Sequence, residues 1–172
     1  MKKVAVSTVF IGICFLLQCT VFQSLSFGGI IPNLMIIVTA SYGFMRGRKS
    51  GLLVGFFSGL LMDIFFGSLI GFYAMLYMYI GYLNGIFSKI FYPEDIKLPM
   101  ILILISDLAY SLSCYVLLFL LNGRFDFPYY FMNIILPEMV YTIVITCGLY
   151  PLLLFVERRL EWKEREGAAK IV

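Results

Sequence analysis

Histidine is absent from the sequence, and its absence excludes several catalytic classes. Without an imidazole there is no Ser-His-Asp arrangement and no HExxH zinc site. A phosphate-binding loop of the GxxxxGKS or GxxxxGKT type is also missing, and the four cysteines contain no CxxC pair. Several enzyme classes are therefore excluded, and we expect no catalytic residue, no cofactor and no metal ligand.

Charged residues are also scarce, at 13% of the chain, whereas hydrophobic residues make up 62%. A soluble domain of 172 residues needs a polar outer surface, and the polar interruptions here are too brief to provide one. Long apolar runs follow one another along the chain. This pattern predicts an all-α membrane protein whose surrounding solvent is lipid.

The apolar runs predict six transmembrane helices. Their approximate bounds are residues 4–22, 31–45, 51–66, 69–88, 99–121 and 132–156. We expect residues 1–156 to form a single six-helix transmembrane domain and residues 157–172 to form a short cytoplasmic amphipathic tail. Segments two and three are shorter than the roughly 20 residues of an ordinary span. A re-entrant hairpin formed by these two segments is the alternative to two short spans.

Charge decides between these alternatives, because Lys and Arg near helix ends stay on the cytoplasmic side. Of the 13 Lys and Arg residues, six spans with the amino terminus inside leave only Arg124 outside. A hairpin entered from outside would remove Arg46, Arg48 and Lys49 from the cytoplasm. We therefore predict a six-helix bundle with both termini cytoplasmic. The net charge of +3 follows from this topology, so we expect membrane lipid and no nucleic acid as a partner.

Glycine recurs every fourth residue around segment three, at Gly47, Gly51, Gly55 and Gly59. Small residues at this spacing let a second helix approach closely in membranes, so we predict that segment three packs at the centre of the bundle. The spacing continues to Asp63. Because four residues turn a helix by about 400°, the row drifts around the helix. The glycines and Asp63 are thus predicted to lie on adjoining faces and to meet different helices.

Three acidic residues lie within the predicted membrane segments: Asp63, Asp107 and Glu138. Carboxyl groups in lipid are costly unless they are paired, protonated or in contact with water. Pro137 immediately precedes Glu138 and removes a backbone donor, which kinks a helix at this point. These four residues are the candidate functional polar residues. They fit either a proton or substrate pathway or a structural role through hydrogen bonds between helices and to a partner.

Several stretches carry a family resemblance. They are Pro32-Asn33-Leu34, residues 46–63 (RGRKSGLLVGFFSGLLMD), Gly71, Gly81, Tyr82 and Leu136-Pro137-Glu138. In these stretches the chain resembles the rod shape-determining protein MreD family. The resemblance implies a non-enzymatic, multi-pass scaffold in the bacterial inner membrane that helps position peptidoglycan synthesis. It also implies MreC as a partner, together with direct or indirect association with MreB, RodA and a class B penicillin-binding protein.

The same family is similar in fold to the substrate-binding subunits of energy-coupling-factor vitamin transporters, which supplies an alternative function. The AxxxA docking pattern of many such subunits is absent from segment one, which offers only Ala5, Ser7 and Gly12. A small proton-coupled carrier is a third class that rests on the intramembrane acids alone. The protein partners and small molecules that accompany the purified chain distinguish these classes.

Overall fold

The computed structural model describes residues 2–26, 29–67, 70–90, 96–120 and 126–169, with backbone alone at residues 2–5, 118–120, 161 and 163–169. Within these ranges the chain is almost entirely helical and contains no β-strand. Six long helices follow one another: α1 Lys2–Cys19, α2 Leu34–Arg46, α3 Arg48–Phe66, α4 Phe72–Ile86, α5 Lys97–Cys114 and α6 Leu136–Ala169. Shorter helical turns extend four of them, at Val21–Ser24, Phe87–Ile90, Tyr115–Leu120 and Phe127–Ile135.

Four of the described helical stretches are long and apolar enough to cross a membrane. They are Val6–Ser24, Arg48–Phe66, Lys97–Leu117 and Phe127–Leu160, and the shorter Leu34–Arg46 is also apolar. Lipid-exposed helices satisfy their own backbone hydrogen bonds, so exposed apolar side chains on such helices are compatible with a hydrocarbon surrounding. The chain is therefore an all-α membrane protein.

The helices run in alternating directions, as contacts at the two ends of the bundle show. At one end, Arg46 at the end of α2 meets Ser7 near the start of α1 and Glu157 in the second half of α6. We call this the basic end, because Arg46, Arg48 and Lys49 lie there. At the other end, Asn33 before α2 meets Thr142 in α6.

The centre of the bundle is α2. All eleven residues from Leu34 to Phe44 are buried, and α2 contacts each of the other five long helices. In contrast, α3 buries one face only, and its Leu53, Phe57 and Ile64 are more than half exposed, at 55%, 56% and 62%. The prediction that segment three forms the packing centre is therefore wrong. The glycine row gives α3 two very close neighbours, α4 along the row and α2 at Gly51, whereas a helix that is apolar on every face is enclosed by several.

The last helix passes the predicted boundary at residue 156 without a break. It continues from Leu136 to Ala169 over 34 residues, and residues 170–172 lie outside the described part of the chain. At 1.5 Å per residue this length is about 51 Å, compared with roughly 30 Å for the hydrocarbon core of a bilayer. One helix thus joins the predicted transmembrane domain to the predicted tail. Arg124, the one basic residue predicted outside, also falls outside the described residues.

Candidate functional site

Three of the predicted packing glycines bring the backbones of α3 and α4 into direct contact. A Cβ atom added to Gly51, Gly55 or Gly59 would overlap the backbone of α4. It would meet the carbonyl oxygens of Gly81, Tyr77 and Tyr73, in that order. A rotamer change cannot relieve a clash with backbone atoms, so these positions require glycine for the observed packing. The surface formed by these glycines is thus covered by α4, a helix of the same chain.

Gly47, the fourth predicted packing glycine, has a different place in the structure. It lies between α2 and α3 with φ of +91°, a conformation that favours glycine. Its N–H donates to the carbonyl oxygen of Gly43 at 2.8 Å and so closes the last turn of α2. Gly47 therefore shapes the turn between two helices, and the backbone contact at this end is made by Gly85 of α4 against Arg48 of α3.

Asp63 is the amino-terminal cap of the next helix. The side chain is only 1% exposed, and its carboxylate accepts hydrogen bonds from three backbone N–H groups at the start of α4. These donors are Gly71 at 3.0 Å, Tyr73 at 2.8 Å and Ala74 at 2.9 Å. The first N–H groups of a helix lack partners within the helix, and they lie at the positive end of its dipole. A carboxylate here accepts their hydrogen bonds and also supplies a favourable negative charge.

The sequence predicted that Asp63 and the glycine row contact different helices. The structure shows that this prediction is wrong. Both contact α4. The reason is the tight reversal between α3, which ends at Phe66, and α4, which begins at Phe72. This reversal places the first turn of α4 against the end of α3. Asp63 therefore reaches α4, although it lies on a different face of α3 from the glycines.

Asp107 and Glu138 come together between α5 and α6. Asp107 is 1% exposed, and within the described chain neither of its carboxylate oxygens makes a hydrogen bond. The Thr142 hydroxyl faces it, and the Glu138 carboxyl is close enough to interact with it electrostatically. Glu138 accepts a long hydrogen bond of 3.4 Å from the Ser111 hydroxyl. The structure therefore unites two of the three predicted acids and separates Asp63 from them.

Asn33 links this acidic pair to the rest of the bundle. Its side-chain oxygen accepts hydrogen bonds from the Ile36 N–H at 3.2 Å and from the Tyr77 hydroxyl at 2.9 Å. Its own N–H donates to the Thr142 hydroxyl at 3.2 Å. Asn33 thus caps α2 and connects it to α4 and α6. We call Asn33, Tyr77, Asp107, Glu138 and Thr142 the buried polar cluster.

Pro137 lies in the first turn of α6, one residue before Glu138. The preceding residues, Phe131–Ile135, form a π-helical turn. A proline has no N–H to donate to the residue four positions earlier, and a π turn is one way in which a helix accommodates this loss. Pro137 therefore coincides with a change of helical geometry immediately before the carboxylate of the buried polar cluster.

At the basic end, a second polar group joins three helices. The Arg46 guanidinium forms two hydrogen bonds of 2.6 Å with the two carboxylate oxygens of Glu157 and one of 2.6 Å with the Ser7 hydroxyl. The guanidinium also lies over the Tyr42 ring, 4.6 Å from its centre. Two parallel bonds between arginine and a carboxylate are stronger and more directional than a single bond. We call Ser7, Tyr42, Arg46 and Glu157 the basic-end clamp.

Sequence reasoning identified the acids but not most of their partners. Asn33 carried a usable signal, because an Asn directly before an apolar run is a common helix cap. The pairing of Arg46 with Glu157 carried none, since 111 residues separate them and each is explained locally by its place at a membrane edge. Within the described chain, no three His, Cys, Asp or Glu side chains lie together as a metal site requires.

A comparison with family models identifies the relationships of this chain. The model for rod shape-determining protein MreD matches residues 2–159. The chain belongs to the MreD family. The matched region of this MreD-family chain contains the glycine row, Asp63, the buried polar cluster and the basic-end clamp. No curated protein and no solved structure gives a significant match.

Membership of the MreD family confirms the resemblance seen in the sequence. It assigns the chain to rod shape determination and to association with the rod-shape machinery in general. Together with its apolar helices, it also identifies a multi-pass membrane protein.

Proposed function

We propose that this MreD-family chain is a non-enzymatic scaffold subunit of the bacterial cell-elongation complex in the inner membrane. In this role it binds MreC and helps position peptidoglycan synthesis, so that MreB, RodA and a class B penicillin-binding protein act along the cell cylinder. The observation that carries the proposal is the match to the MreD family over residues 2–159.

The uses of the polar side chains support a scaffold. Asp63 caps α4, Asn33 joins three helices, and Arg46 joins three helices at the basic end. Hydrogen bonds between membrane helices fix their relative positions, which suits a subunit that presents a constant surface to partners. No feature of the described residues favours the vitamin-transporter alternative.

The glycine row is covered by α4, so the proposed surface for a partner helix lies elsewhere on the bundle. The exposed Val140 and Val144 of α6 form an apolar surface that faces away from the core. Lipid covers such surfaces in a lone chain, and a partner helix replaces it with closer packing.

Copurification tests the proposed partner. An affinity-tagged chain is expressed in cells at its natural level, extracted in a gentle detergent, and its protein partners are identified by mass spectrometry. An unrelated tagged multi-pass protein of the same membrane is the control. We expect MreC among the enriched proteins, and recovery of a folded chain without MreC would contradict the proposal.

A second experiment separates a scaffold from a proton carrier. Asp107→Asn and Glu138→Gln keep hydrogen-bonding capacity but cannot transfer protons as carboxyl groups do. We expect cells that depend on either variant to remain rod-shaped at wild-type protein levels. If a variant accumulates normally in the membrane and the cells become round, the carboxyl chemistry is required and the non-enzymatic scaffold is contradicted.

A further inference from the structure

A groove lies between α1 and α3, and Ser7 and Arg46 of the basic-end clamp line one end of it. It has a volume of about 520 Å³ and is open along one side. On α1 its wall includes Ile11 and Gly12, and on α3 it extends from Ser50 to Ile64. Leu53 and Phe57 line it and remain more than half exposed, at 55% and 56%. The groove is therefore an apolar channel on the outside of the bundle.

Along α3 the groove is longer than one leaflet of a membrane but shorter than the full hydrocarbon core. From Ser50 to Ile64 the helix rises by about 21 Å, compared with roughly 15 Å for half of a 30 Å hydrocarbon core. The wall on α1, from Ser7 to Gly12, rises by only about 8 Å. A transmembrane helix would need two walls along its length, whereas an acyl chain needs a narrow channel that starts at the headgroup region.

Basic residues at one end of the groove favour a lipid with an anionic headgroup. The groove begins at Ser50, next to the exposed Lys49, and Arg48 lies at the same end. Arg46 also lines this end, but its guanidinium is engaged by Glu157. Lys49 is thus an exposed cation at the end of the bundle where the groove begins. Basic residues at the cytoplasmic ends of membrane helices attract anionic lipids.

We propose that the groove between α1 and α3 binds an anionic phospholipid of the cytoplasmic leaflet. One acyl chain lies along Leu53 and Phe57, and the phosphate lies beside Lys49 and the Ser50 hydroxyl. The site goes beyond the scaffold function and does not depend on MreC, although it uses the proposed orientation of the basic end towards the cytoplasm. Bound lipid would seal the open side of the bundle.

Lipid binding to the purified chain alone tests this proposal. The chain is prepared in dodecylmaltoside and titrated with phosphatidylglycerol or with phosphatidylcholine of the same acyl chains. Retained lipid is counted by native mass spectrometry, and the melting temperature is recorded. We expect phosphatidylglycerol to be retained in preference and to raise the melting temperature by more than phosphatidylcholine does.

Two variants address the two parts of the site. Gly12→Phe fills the groove, and the space beyond Gly12 is open, with no atom within 4 Å of an added Cβ. Its matched control is Gly148→Phe on α6, where the surroundings are equally open. Lys49→Gln removes the cation directly before Ser50, and Lys89→Gln removes an exposed cation that follows α4.

We expect Gly12→Phe to lose the retained phosphatidylglycerol and Gly148→Phe to keep it. Lys49→Gln should lower the preference for phosphatidylglycerol by roughly fivefold, since one basic residue near a membrane surface contributes about 1 kcal/mol. Equal retention by Gly12→Phe and Gly148→Phe would overturn the proposal, as would equal binding of the two lipids to the wild-type chain. Unchanged lipid retention by Gly12→Phe, together with loss of MreC when this variant is copurified from cells, would assign the groove to a partner helix instead.

Discussion

At the scale of the residue, Asp63 shows how a carboxylate is tolerated inside an apolar helix bundle. Its three hydrogen bonds all come from backbone N–H groups at the start of α4. A group that is satisfied in this way has no need of a cation. Asp107 is buried to the same degree without such donors, so the two acids have different environments although the sequence presents them alike.

This difference predicts graded effects at Asp63. Asp63→Ala removes every acceptor and leaves three N–H groups of α4 without their partners, which should cost about 2–3 kcal/mol of unfolding free energy. Asp63→Asn keeps one oxygen and should cost about 1 kcal/mol, so the expected stability order is wild type, Asn, Ala. Unfolding of the purified chain in mixed micelles measures it. Equal stability of all three proteins would show that the cap contributes nothing.

At the scale of the element, the pairing of α3 with α4 depends on missing side chains. The backbones touch at three successive turns of α3, and each contact places an α4 carbonyl oxygen where a Cβ would lie. Membrane helices gain no hydrophobic free energy by associating in lipid, so such close packing is a principal source of their attraction. The pair is held by shape along its length and by Asp63 at one end.

A matched pair of glycine substitutions tests this role of shape. Gly55→Ala introduces a Cβ against the backbone of Tyr77 and Met78, and the resulting overpacking should cost about 1–3 kcal/mol. Gly148→Ala adds the same atom to α6 in open space and should be neutral or stabilising by up to about 1 kcal/mol, because Ala has the higher helix propensity. Thermal melting in the same detergent compares them. Destabilisation of both proteins to the same extent would contradict the role of close packing.

The elements also show what the sequence can predict. Apolar runs located all six long helices, because each helix must shield its backbone from lipid locally. The spacing of small residues in segment three predicted close packing but not which helix packs there, since the pattern carries no information about the opposing helix. The central place of α2 was missed because its short length drew attention to whether it spans the membrane, whereas a run that is apolar on every face also indicates burial among several helices.

At the scale of the whole molecule, the basic-end clamp joins the beginning, middle and end of the chain. Arg46 and Glu157 are 13% and 7% exposed at their side chains, so the ion pair is largely removed from water. Replacing one residue of such a pair by an apolar residue leaves the other charge buried and unpaired. Replacing both residues leaves no buried charge. No local pattern could have predicted this contact, which depends on how distant helices assemble.

The clamp therefore predicts a non-additive mutant cycle. Arg46→Met and Glu157→Met should each lower the unfolding free energy by about 3 kcal/mol, and the double variant should lose less than either single variant. Arg46→Lys should also be destabilising, because an ammonium group cannot form the paired bonds of a guanidinium. Lys89→Met, an exposed cation at the same end, is the control and should change little. Additive losses in the double variant would contradict the coupling.

The path of the chain through the membrane is a prediction for the molecule as a whole. Six spans with cytoplasmic termini place the turn after α2 and the end of α4 inside, and the turns before α4 and before α6 outside. Exposed residues mark these four positions: Arg48, Lys89, Ile70 and Asp126. The four native cysteines are first replaced by alanine, and each marker is then changed singly to cysteine. A membrane-impermeant maleimide added to intact spheroplasts should label Ile70→Cys and Asp126→Cys.

The cytoplasmic markers give the decisive contrast. Arg48→Cys and Lys89→Cys should react only after the membrane is permeabilised, because the basic residues around them are retained on the cytoplasmic side. A re-entrant hairpin formed by α2 and α3 would instead expose Arg48→Cys to the reagent in intact spheroplasts, while leaving Lys89→Cys protected. Labelling at residue 48 therefore distinguishes six spans from four. It also tests the orientation that brings Lys49 to the leaflet from which the groove would take its lipid.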